Sequence, residues 1–113
     1  MIFLFSDAEE TGLRGAMAFA NKHPLMQRVG MVINMEARGV SGPSSMFETG
    51  PNNATQIGLF KSTNKTPSAS SLLVEVYNRM PNGSDYMIYR MQDIPGLNFG
   101  FSNSAALYHS VLD

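Results

Sequence analysis

Apolar positions along the chain fall into short continuous runs and helical stripes separated by polar turns. Ile2 to Phe5 is an unbroken apolar run ending at Ser6-Asp7, the pattern of a short buried strand. Leu13, Ala16, Met17 and Ala20 then recur at i, i+3, i+4 and i+7, which predicts a helix over 11–22 with these four on its inner face. His23-Pro24 ends that helix, because the residue before proline avoids helical geometry. His23 is expected as a helix-end residue favoured by the C-terminal dipole, not as a ligand. Residues 29–35 read as a second strand, too apolar to be buried on one side only. Ser45–Thr49 is a third short strand closed by Gly50-Pro51, and Asn52 or Asn53 caps a second helix whose inner face carries Ile57 and Phe60. Residues 62–68 form a polar loop. The clearest helix spans 70–80, with Leu72, Leu73, Val76, Tyr77 and Met80 on its inner face and Pro81-Asn82-Gly83 as its stop. Ser84-Asp85 caps a short helix bearing Tyr86, Ile88 and Tyr89, and a last strand over 95–101 alternates Leu97, Phe99 and Phe101.

At 113 residues the chain makes one domain at most, and a hydrophobic fraction of 43% with 15% charged residues is that of an ordinary globular sequence. A net charge of -1 without any clustered basic face gives nothing for nucleic acid to bind. The absence of cysteine excludes disulfides and thiolate metal sites, so a metal would need carboxylates and the two histidines, His23 and His109. No apolar run reaches membrane-spanning length. The first residues lack the basic lead of a signal peptide and turn acidic by Asp7. A strand beginning at residue 2 with no lead-in leads us to expect preceding sequence. The compartment is unknown from these residues.

Chemistry concentrates where the strands end. Asp7, Glu9 and Glu10 follow the first strand, Glu36 follows the second, and in open α/β sheets ligands bind at such C-terminal strand ends. Crowded carboxylates call for a positive partner, and adjacent glutamates can divide the work of binding a metal and moving a proton. They can equally sit at a helix N-terminus, where the dipole favours them, and Glu36 can simply pair with Arg38. Asp85 reads first as a cap. Spacing alone leaves these alternatives open.

The local wording goes further. Asp7-Ala8-Glu9-Glu10-Thr11-Gly12-Leu13-Arg14-Gly15 resembles the Glu-Glu-x-Gly-Leu-x-Gly motif of the M28 family of zinc aminopeptidases. Asn34 to Gly39, Phe47 to Gly50, Pro81 to Asp85, Ile94 to Phe99 and Tyr108-His109 resemble successive blocks of one branch, that of the endoplasmic-reticulum and vacuolar membrane metallopeptidases and their bacterial relatives. The blocks run in order over nearly the whole chain.

The resemblance implies an α/β fold, a three-layer α/β/α sandwich around a mixed sheet. Residues 1–113 would then be a single partial peptidase domain that lacks its N-terminal part and holds four of the strands. It implies Glu9 as general base, Glu10, Glu36 and His109 as zinc ligands, and Tyr108 as a hydrogen-bond donor to the tetrahedral intermediate. Asp85, Asp113 and Arg38 would lie behind the ligands, with Asp113 orienting His109. The family site holds two zinc ions on five ligands, two of which, a histidine and a bridging aspartate, precede the first strand seen here. The expected substrate is a peptide, and the isolated chain is expected to be inactive. Alternatives from other classes are a non-catalytic scaffold of the same fold and a glutaminyl-cyclase-like transferase. Missing upstream strands would uncover sheet edges, so dimerisation or strand swapping is expected.

Overall fold

The computed structural model describes residues 1–37, 39–80, 83–101, 103–107 and 110–111. Its elements in chain order are helix α1 (Arg14–Lys22), a 3-10 turn (Pro24–Arg28), strands β1 (Val32–Ala37) and β2 (Ser45–Thr49), helices α2 (Ala54–Thr63), α3 (Ser71–Asn78) and α4 (Asp85–Arg90), strand β3 (Gly96–Phe101), and a short 3-10 turn (Ala105–Leu107). The described strands form a mixed sheet of order β1-β3-β2, with β3 parallel to β1 and antiparallel to β2. Helices and a mixed sheet make this an α/β fold.

β3 occupies the centre because it can be buried on both sides. Leu97 and Phe99 point to one face, where they pack with Met46 and Phe60 and with the half-buried Ile57 and Val74 of α2 and α3. Gly96, Asn98 and Gly100 point to the other, where Tyr86 and Tyr89 of α4 meet Ala16 and Ala20 of α1 and the half-buried Val32. Gly96 is required there. A Cβ at that position would stand 2.5 Å from the Val32 carbonyl oxygen and 2.5 Å from Cε2 of Tyr86.

Several expectations need correction. Residues 2–5 are in no strand: Phe3 is 75% and Phe5 95% exposed. A strand is defined by pairing, and among the described residues β1 pairs only with β3, so this apolar run has no hydrogen-bonded neighbour. The described sheet therefore has three strands, not four. β1 begins later than expected and alternates half-buried with exposed residues, leaving Ile33 and Met35 outward. Helix α1 starts at Arg14 because Gly12 (φ 101°) and Leu13 (φ 57°) hold left-handed backbone ahead of it. Leu13, Ala16 and Ala20 are buried as expected, whereas Met17 is exposed.

Of the predicted inner face of helix α3, Tyr77 packs as expected and the other four positions do not. The helix rests through Val74 and Tyr77, the latter edge-on to the Phe47 ring at 4.7 Å, and leaves Leu72, Leu73, Val76 and Met80 exposed. Two apolar stripes compete on this helix, and the ring of Phe47 decides between them. His23 does end α1, where it stacks on Phe19 at 4.8 Å and accepts the Leu25 N–H through Nδ1. Asn53 stands at the start of α2 but makes no side-chain cap bond.

Candidate active site

The acidic turn after residue 6 is laced by its own backbone. The N–H groups of Gly12 and Leu13 donate to the Glu9 carbonyl at 3.0 and 2.9 Å, Arg14 N–H donates to Ala8 O, and Gly15 N–H to Asp7 O. Asp7 Oδ1 accepts the Ala8 N–H at 2.7 Å, and Ala8 itself holds a left-handed φ of 60°. A non-glycine residue in that region costs of the order of 1–3 kcal/mol and persists only where surrounding bonds enforce it. The turn thus fixes the backbone that carries Glu9 and Glu10.

This turn forms one wall of a cleft of about 960 Å³. Residues 2–6 and the turn face Asn34 to Ala37 of β1, and Gly83, Asp85 and Met87 close a third side. Glu9 and Glu36 are half-buried, Glu10 is exposed, and all three line the cleft with Asp85. Four of the predicted site residues are therefore brought together from three parts of the chain. Arg38, Tyr108, His109 and Asp113 lie outside the described residues. His23 is not in the cleft lining.

Asp85 is not the cap its sequence position suggested. Ser84 holds the cap position of α4 without making a side-chain cap bond. Asp85 is only 8% exposed, and its Oδ2 accepts a hydrogen bond from the Ser6 hydroxyl, tying the start of the acidic turn to α4. Its Oδ1 is buried and has no hydrogen-bond partner among the described residues. A buried carboxylate oxygen at a cleft wall suits a cation or a hydrogen-bond donor. The donors around the cleft are hard oxygens, compatible with a divalent ion, but among the described residues no three carboxylate or imidazole side chains gather closely enough to hold one.

Behind the cleft runs a buried polar row that the sequence reading missed. Asn34, Asn98 and Glu48 are register partners across the three strands. Asn34 Nδ2 donates to Glu36 Oε1 and to Asn98 Oδ1, both at 3.0 Å. Asn98 Nδ2 donates to Glu48 Oε2 at 2.9 Å and to Ser84 Oγ at 2.7 Å. Arg90 closes the row with an ion pair to Glu48 Oε1 at 2.9 Å. A register shift between Met46 and Glu48 makes this possible: Met46 opposes Phe99 and packs in the apolar cluster, whereas Glu48 opposes Asn98 on the other face. An asparagine centred between Leu97 and Phe99 was the available signal, since a buried polar side chain needs partners.

The chain is matched from residue 1 to 113 by the family model described as "Peptidase family M28", and it belongs to that family. It is 36% identical over 116 residues to endoplasmic reticulum metallopeptidase 1 of Homo sapiens, a match covering all of this chain and 13% of that protein. The corresponding protein of Mus musculus is 35% identical over the same length and share. The vacuolar membrane protease of Candida dubliniensis is 32% identical over 117 residues, covering all of this chain and 12% of that protein. The chain thus spans about an eighth of the length of these curated relatives. No solved structure matches it.

Proposed function

We propose that this chain carries one wall of the active site of a zinc-dependent aminopeptidase, which hydrolyses N-terminal peptide bonds as part of a longer protein. The observation that supports this reading is the convergence of Glu9, Glu10, Glu36 and Asp85 on one cleft within a chain of the M28 family. Glu10 and His109 would hold one zinc, and Glu36 the other. Zinc held by these residues would supply Lewis-acid chemistry, polarising the scissile carbonyl and lowering the pKa of a bound water toward about 7. The Glu9 carboxylate takes the proton of the attacking water and returns it to the leaving amine. Tyr108 donates a hydrogen bond to the carbonyl oxygen as it becomes negative. Asp85 braces the acidic turn through Ser6, and Asp113 would orient His109, with Arg38 as a further supporting residue.

With Glu10, Glu36 and His109 but not the family's full ligand set, the 113-residue chain alone is expected to show little turnover of aminoacyl-p-nitroanilides in added zinc. Robust hydrolysis by this chain would contradict the proposal that it is only part of a site. A panel that includes N-terminal glutaminyl peptides separates hydrolysis from cyclisation. Assembly follows from the same reading. The exposed run Ile2 to Phe5 and the outer edge of β1 are expected to drive dimerisation or strand exchange of the isolated chain, and a clean monomer by light scattering would count against it.

A further inference from the structure

The polar row behind the cleft has a direction. Glu48 is 3% exposed and paired with Arg90, and an ionised carboxylate can only accept hydrogen bonds. The Asn98 side chain, fully buried, must therefore turn its NH2 group toward Glu48, where the same nitrogen also reaches Ser84 Oγ. That choice points Asn98 Oδ1 at β1. Asn34 must answer it with an NH2 group, and its second N–H then falls on Glu36 Oε1. Each amide has two orientations, and the charge of Glu48 selects one for both.

We propose that Glu48, acting through Asn98 and Asn34, sets the orientation of the Glu36 carboxylate, and so is a positioning residue for the site. Without that charge Asn98 can invert and turn its NH2 group on Asn34, which can then no longer serve both Asn98 and the acceptor-only Glu36 with one amide nitrogen, and the bond that orients Glu36 is disturbed. Glu48 does not line the cleft. It acts from the far strand of the described sheet, placed there by the register shift in β2. The orientation stands on geometry alone; its consequence for metal binding rests on the reading of Glu36 as a ligand.

The test compares Glu48→Gln, which removes the charge at constant size, with Glu48→Asp, which keeps an acceptor-only partner for Asn98. In the 15N-labelled 113-residue chain without metal, Glu48→Gln is expected to shift the side-chain amide resonances of both Asn98 and Asn34, while Glu48→Asp leaves those of Asn34 near their original position. Asn34 resonances that do not move in Glu48→Gln overturn the proposal. The second arm is zinc competition against a chromophoric chelator. Glu48→Gln is expected to weaken zinc roughly 10–100-fold, in the range for groups that orient a ligand, with Glu48→Asp restoring most of the loss. An Asn34 shift with unchanged zinc affinity, in a chain where Glu36→Gln does weaken zinc, also overturns the positioning role. If Glu36→Gln leaves zinc affinity intact, the ligand reading has failed, and the amide resonances decide the orientation independently.

Discussion

Glu9→Gln in the full-length protein is expected to lower kcat roughly 10²–10⁴-fold, the usual range for a positioned general base, while its metal content stays unchanged. Glutamine has the size of glutamate but cannot accept the proton of the attacking water. Glu9 is half-buried on the cleft wall, and backbone bonds hold the turn that carries it, so the isosteric substitution should leave the local fold intact. The effect should fall on kcat with little change in KM, because proton transfer is a property of the transition state. Steady-state kinetics beside metal analysis check both halves. Near-normal kcat would move the base elsewhere, and loss of metal would make Glu9 a ligand.

The second large effect concerns stability. Tyr86 is fully buried between α1, α4 and Gly96, and Tyr86→Ala is expected to cost about 3–5 kcal/mol, the range for removing a large aromatic ring from a core. Tyr86→Phe should cost about 1 kcal/mol or less, since the hydroxyl makes one long bond, 3.4 Å, to the Ile94 carbonyl. Denaturant melts separate the two. Burial, with a smaller contribution from the Glu48 charge, raises the Tyr86 pKa from 10.0 to about 12. Its contribution to stability is therefore complete below pH 10. It falls as pH rises from 10 toward 12, where the unfolded chain ionises first. Tyr86→Phe should flatten that alkaline loss.

How much of this was legible depended on whether a feature is local. The alternation Leu97-Asn98-Phe99 announced a strand, and it is the central one. His23-Pro24 announced the end of α1, and His23 caps it. The strand at residues 29–35 was shifted because its limits are set by register with Gly96 to Phe101, a partner more than 60 residues away. Helix α3 is legible only in part for a similar reason: Tyr77 packs as its period predicts, but contact with Phe47 brings Val74 inward in place of Leu72, Leu73, Val76 and Met80. Residues 2–5 look like a strand because they are apolar, but a strand also needs a neighbour.

The candidate site divides along the same line. Glu9, Glu10 and Glu36 stood out as acids after apolar runs, and Asp85 joined them through a motif block; all four line one cleft. Glu48 and Asn98 did not stand out. Glu48 reaches the polar face through a register shift, and pairing irregularities leave no mark in a single strand's pattern. Its partner Arg90 lies 42 residues away and on a different element.

The central claim is that Glu10 and Glu36 are metal ligands, one for each of two zinc ions, and that Glu9 serves the site without binding metal. The measurement that tests it most directly is the zinc content of the full-length protein by mass spectrometry, compared among Glu9→Gln, Glu10→Gln and Glu36→Gln. Loss of zinc in the Glu10 and Glu36 variants, with retention in Glu9→Gln, is the predicted result. Full zinc content in either Glu10→Gln or Glu36→Gln would contradict it.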